Sequence, residues 1–147
     1  MRLCLPLIAL LIGGEATAQS LRPYQIEADA ITQSLTGKTG VAARGQAIIA
    51  DRQRGLCLLC HTGAFPEPHM QGNVAPDLRE VVGTLSAGQL RLRLVDIRRV
   101  NPDSPMPSFY RNDGLTRVGA PWRGKPILAA DEIEDVLAYL LTLQERK

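Results

Sequence analysis

Cysteine is scarce in this chain of 147 residues, which has Cys4, Cys57 and Cys60 and no others. That count excludes a multi-disulfide scaffold, and it cannot supply the second ligand pair that a structural zinc site needs beside a single C-x-x-C. Charge of one sign is lacking as well: 17 Lys and Arg face 15 Asp and Glu, a formal net charge of +2. Such a balance predicts no nucleic-acid partner. No segment reads as a strong strand, no internal repeat appears, and no low-complexity run interrupts the chain. Long apolar runs are confined to one, and its place is informative.

Met1-Arg2 is followed by an almost wholly apolar stretch over residues 3–14, the charged tip and hydrophobic region of an export signal. The run is too short to span a bilayer, which takes about 20 apolar residues. Ala16-Thr17-Ala18 supplies a small-x-small cleavage pattern, so residues 1–18 are expected to be removed after Ala18. Cleavage takes away Cys4 and one charge of each sign. The mature chain is then expected outside the cytoplasm, soluble and without a membrane span, with Cys57 and Cys60 its only cysteines.

At this length one domain is expected, since domains most often run to about 100–150 residues. Residues 19–41 are polar and carry Pro23, Gly37 and Gly40, an irregular N-terminal extension rather than a packed element. Residues 42–147 form the expected domain. Within it, residues 42–54 mix helix formers with Ile48 and Ile49 and predict a helix ending at Gly55. Residues 65–78 read as a loop from Pro66, Pro68, Gly72, Asn73 and Pro76. Ser86 and Gln89 make a capping box ahead of Leu90, Leu94 and Ile97. Asp131 and Glu134 repeat the spacing ahead of Ile133, Val136, Leu137, Leu140 and Leu141, the most regular apolar stripe in the chain. The stretch 101–126 holds five prolines and three glycines, a loop of the length that usually serves a function.

Cys57-Leu58-Leu59-Cys60-His61 is the residue pattern that points most directly to chemistry. Two cysteines three apart sit about one helical turn from each other, so both sulfurs can reach the vinyl groups along one haem edge as thioethers, and the adjacent histidine faces the iron. The competing readings are a thioredoxin-type disulfide, which wants a βαβ context absent here, and half a zinc site. The expectation is therefore one covalently bound haem c, attached through Cys57 and Cys60, with His61 as an axial iron ligand. The other ring nitrogen of His61 should donate to a backbone carbonyl that fixes its tautomer. Pro76 is the candidate for that carbonyl.

A second axial ligand closes the iron and raises its potential when it is a thioether. Met106 lies between Pro105 and Pro107, which restrict the backbone and remove donors, so a stiff strap carries its sulfur. His69 and Met70 lie close enough to His61 in sequence to reach around the cofactor, since each residue of extended chain spans roughly 3.3 Å. Met106 is the first choice, with His69, Met70 and an open position as alternatives. Arg91, Arg93, Arg98 and Arg99, with Arg111, Arg117, Arg123 and Lys125, read either as a solvated surface or as a basic rim that docks an acidic partner. Gly45 and Tyr139 suggest a close helix crossing. Phe109, Tyr110 and Trp122 are expected to wall the cofactor.

The order of helix, C-x-x-C-H, loop, methionine strap and amphipathic terminal helix resembles class I cytochrome c over residues 42–147. The strings GLCLLCHTG (55–63), QGNVAPDL (71–78), QLRLRLV (89–95), NPDSPMP (101–107) and RGKPIL (123–128), with SLTG (34–37) ahead of them, resemble more narrowly the SoxX family, the monohaem subunits of thiosulfate-oxidising SoxAX complexes. That resemblance implies an all-α class I cytochrome c-like fold with an irregular N-terminal extension and a long methionine-bearing loop. It also implies a periplasmic location, a SoxA-like cytochrome subunit as heterodimer partner, a SoxYZ-like carrier protein and a downstream acceptor cytochrome. The activity implied is that of an electron-accepting subunit in L-cysteine S-thiosulfotransferase, with no catalytic residue in this chain. A free-standing monohaem electron shuttle is the alternative.

Overall fold

The structure is a computed structural model in which residues 21–144 are described. The expected signal and its cleavage point, 1–18, lie outside the described residues. The α-helices are α1 (Ala42–Ala50), α2 (Leu78–Val82), α3 (Ala87–Asp96) and α4 (Ala130–Gln144), joined by loops and short 3-10 turns. Among the described residues there is no strand, only an isolated bridge between Glu27 and Ala30, and no helix is long and apolar enough to cross a membrane.

Helix α4 is the spine of the core. Its stripe Ile133, Val136, Leu137, Leu140 and Leu143 is buried against α1, α2 and α3, and burying each such side chain contributes roughly 1.5–3 kcal/mol. Gly45 makes the α1–α4 crossing possible, because a Cβ there would overlap the Asp135 carbonyl of α4. Tyr139, further along α4, is buried. Its ring packs on Phe65, with centroids 5.7 Å apart.

Helix α1 ends at Ala50, short of the expected Gly55. The Asp51 carboxylate accepts from the Gln53 and Arg54 amides at 2.8 and 3.2 Å, which draws the chain into a turn. Gly55 closes that turn against Ile48, where a Cβ would strike the carbonyl. The capping box of α3 forms as the spacing suggests, with Ser86 and Gln89 exchanging bonds of 2.9 and 3.2 Å. That of α4 does not. Glu132 reaches back to the Ala129 amide at 2.8 Å, while Glu134 turns into the core. Helix α2, which begins where the stretch read as loop from composition ends and is not among the helices expected from the sequence, is capped by Asp77, whose carboxylate accepts from the Arg79 amide at 2.9 Å.

The lead-in before α1 is irregular but packed. Ile31 and Leu35 belong to the core. Glu134 of α4 accepts from the Leu35 amide at 2.9 Å and forms a two-point pair with Arg91 of α3 at 2.8 and 3.1 Å. Arg91 also donates to the Ile31 carbonyl at 2.6 Å. One buried ion pair thus ties the lead-in to both helices. Arg91 is therefore not part of a solvated face, as its place in a basic run had suggested.

Candidate functional site

The C-x-x-C-H segment follows Leu56, whose φ of +61° lies in the left-handed region. That kink starts a 3-10 turn over Cys57–Leu59, closed by the Cys60 and His61 amides donating to the Cys57 carbonyl at 3.2 and 2.9 Å. The turn brings both sulfurs and the imidazole to one side. Cys57 Sγ donates to the Gly55 carbonyl at 3.2 Å, and burial pushes its thiol pKa up to about 11. Cys60 is exposed.

The following loop is tied to this turn by three backbone bonds: Gly72 N–H to Leu58 O, Ala75 N–H to Cys60 O and Leu78 N–H to Thr62 O, each 2.9 Å. Gly72 is required there, since a Cβ would overlap the Leu59 carbonyl. These bonds set the Pro76 carbonyl 2.7 Å from His61 Nδ1, which donates to it. Its Nε2 is then the nitrogen free to bind a metal. Asp77 strengthens the loop by accepting from Thr62 Oγ1 at 3.1 Å and from the Arg79 side chain at 3.0 Å. The Arg79 bond holds the Asp77 carboxyl below its usual pKa, against a smaller opposing effect of burial.

Opposite this face, the strap carrying Met106 is anchored to α3. Phe109 and Tyr110 donate their amides to the Leu94 and Val95 carbonyls at 3.0 and 3.2 Å, pairing groups that the end of a helix leaves open. Ser108 donates to the buried Asp96 carboxylate at 2.6 Å. Met106 N–H donates to Ser104 Oγ at 3.2 Å.

Between the two faces lies a cavity of about 420 Å³. Cys57, Cys60, His61, Pro76 and Met106 all line it, and most of the remaining wall is apolar, including Leu78, Leu90, Leu94, Phe109, Val136 and Leu140. Its size falls in the range of small-molecule and cofactor sites, roughly 300–1,000 Å³. An imidazole with a set tautomer, a thioether and two thiols around an apolar slot fit a flat apolar macrocycle that carries a metal. Arg93 is the one Arg or Lys in the lining, and its Nη1 donates to the Gln89 carbonyl at 3.0 Å.

The other sequence candidates lie elsewhere. His69 and Met70 sit on an exposed 3-10 turn outside the cavity lining, with the Met70 carbonyl accepting from Arg52. Of the aromatic residues expected to wall the cofactor, Phe109 does so. Tyr110 instead accepts from the Arg22 amide at 2.8 Å, and Trp122 lines a separate groove. Arg93 and Asp77 were missed as site residues. Asp77 ahead of Leu78, Val81 and Val82 was a legible cap signal for α2, whereas nothing in the sequence separates Arg93 from its basic neighbours.

No family model and no curated protein sequence matches this chain. Among solved structures, the crystal structure of SoxXA from P. pantotrophus contains a chain similar to this one, with 34% sequence identity and a TM-score of 0.74. The similarity covers 82% of this chain and 94% of that one.

Proposed function

The chain belongs to the SoxX family, and we propose that it is the electron-accepting, monohaem c-type cytochrome subunit of a periplasmic heterodimer with a SoxA-like partner. The observation that carries this reading is the gathering of Cys57, Cys60, His61 and Met106 around one apolar cavity. Cys57 and Cys60 would hold the haem covalently, and His61 and Met106 would bind its iron. When bound, the haem supplies a one-electron redox centre.

The chain's residues account for the rest. The Pro76 carbonyl holds His61 in a single tautomer and makes its free nitrogen a better donor. A thioether in the ligand set beside the imidazole would favour the reduced state, which suits electron transfer rather than ligand binding. Val82, Leu94 and Leu140 wall the slot with apolar surface that disfavours water, and Arg93 in the same lining would pair with an acidic edge of the cofactor.

Joining thiosulfate to a thiol through a sulfur–sulfur bond releases two electrons, and a one-electron centre cannot take both. With Cys57 and Cys60 bound as thioethers, the mature chain also has no sulfur nucleophile. The reaction is therefore assigned to the partner, on a cysteine of a SoxYZ-like carrier, and this subunit passes electrons on to a downstream cytochrome. The test is coexpression with the SoxA-like partner and purification of the pair. Thiosulfate and carrier should then reduce the haem of this subunit, seen in its visible spectrum. A chain that purifies alone and is not reduced would instead be a free-standing shuttle.

A further inference from the structure

A second cavity, of about 450 Å³, lies next to the first and shares Leu56 and Pro107 with it. Its other walls come from the loop after Tyr110 and from Arg98. That loop is unusual in its burial: every described residue from 111 to 125, leaving aside Pro121, is half-buried or exposed. Leu115 and Trp122 are each 46% exposed, although both face the groove. Positive φ values at Gly114, Arg117 and Gly124 bend the loop three times. A long excursion that buries so little of its own apolar surface gains nothing for the core, and apolar surface of this kind marks an interaction site.

Charge states what kind of partner fits. Arg98, Arg111 and Lys125 line the groove, which has no acidic residue in its walls. Arg111 is shared with Asp96 and Asp113, at 3.7 and 3.5 Å. Among the described residues no carboxylate lies within 4.0 Å of Arg98 or Lys125, so within the described structure their charge is left for a partner. A small oxyanion would satisfy the cations but leave Trp122, Leu115 and Ile127 in water. An acidic polypeptide with an apolar anchor satisfies both.

We propose that this groove docks an acidic segment of the SoxA-like subunit, with one of its apolar side chains against Trp122 and Leu115 and its carboxylates on Arg98 and Lys125. The proposal rests on the heterodimer reading above and places the partner one residue from Cys57, at Leu56, and one from Met106, at Pro107. Electron exchange between the subunits would then cross this wall.

The test measures the dissociation constant of the haem-loaded chain with the purified SoxA-like subunit by calorimetry at two salt concentrations. The variants are Trp122→Ser and the double change Arg98→Glu with Lys125→Glu, with Lys38→Glu, which lies outside this groove, as control. Each groove variant should weaken binding about tenfold or more, as loss of a central aromatic or cationic contact does. The double variant should also flatten the salt dependence, and the control should change neither. Unaltered haem spectra and melting temperatures would show that the variants fold. Tight wild-type binding that the groove variants leave unchanged overturns the docking proposal and spares the heterodimer. A slowed oxidation by the downstream acceptor with unchanged heterodimer affinity also overturns it, by assigning the groove to another partner. No binding by the wild-type chain overturns both readings.

Discussion

His61 Nδ1 donates to the Pro76 carbonyl oxygen across 2.7 Å, and that bond joins residues fifteen positions apart. Three backbone bonds and Asp77 hold the carbonyl in place, so the orientation of the imidazole depends on the whole loop between Gly72 and Leu78. Asp77→Ala should loosen this loop. The expected outcome is a higher reduction potential, because a weaker His61–Pro76 bond leaves the imidazole a poorer donor to oxidised iron and a negative charge is lost nearby, and a broadened signal for His61 in NMR of the haem-loaded protein, with Pro76→Ala, which keeps the carbonyl, changing both less.

Met106→Ala should abolish the near-infrared sulfur-to-iron charge-transfer band of the oxidised protein and lower the reduction potential. Met70→Ala should leave the band in place, because Met70 is exposed and lies outside the cavity lining. A band that survives the first change and disappears with the second would reassign the ligand.

Arg93→Gln removes the one Arg or Lys of the cavity lining. Loss of a positive charge near the redox centre disfavours the reduced state. The potential should fall by roughly tens of millivolts, with an unchanged charge-transfer band showing that the axial ligands are intact. Redox titration with and without the change checks this.

Asp135 of α4 caps α1 from outside. Its carboxylate accepts from the Val41 amide at 2.6 Å and from Arg44 Nε at 2.6 Å. Burial tends to raise its pKa, and the Arg44 and Val41 bonds outweigh that, leaving it below the usual value. A depressed carboxyl stabilises the folded state above the unfolded pKa of about 3.9, and the contribution is lost as pH falls through the folded pKa. Asp135→Asn should therefore flatten the acid limb of the stability curve below about pH 4. Asp135→Ala should cost about 1–2 kcal/mol at pH 7 in urea unfolding, as loss of a cap does.

Arg91 and Glu134 form a buried pair, with Arg91 7% and Glu134 3% exposed. Glu134→Gln leaves a buried guanidinium without its countercharge and should destabilise the protein by about 3–5 kcal/mol. Replacing both by Met and Leu should recover much of that loss. Urea unfolding of the single and double variants measures the difference.

Much of the fold could be read along the chain because its signals are local. The period of Ile133, Val136, Leu137 and Leu140 marks α4, and Ser86 with Gln89 marks the start of α3. Both signals act within one or two helical turns. Where the signal depended on a distant partner, the reading went astray. Glu134 has the spacing of a capping residue for Asp131, yet its carboxylate forms a better bond with Arg91 in the core. Arg91 itself looks like one of four arginines within nine residues, 91–99, and only its burial against the lead-in sets it apart.

By itself the sequence pointed to haem attachment at the C-x-x-C-H segment, since attachment chemistry depends on residue types at fixed short spacing. It also determined that Met106 sits on a stiff strap, through the two prolines beside it. Only the tertiary structure decided that Met106 lines the same cavity as His61 while His69 and Met70 do not, because reach along a chain does not say where the chain is anchored. The Phe109 and Tyr110 bonds to the end of α3 supply that anchor. The basic groove beside Leu56 and Pro107 is likewise a product of folding alone: its cations come from segments up to 27 residues apart, Arg98 and Lys125, and no local pattern joins them.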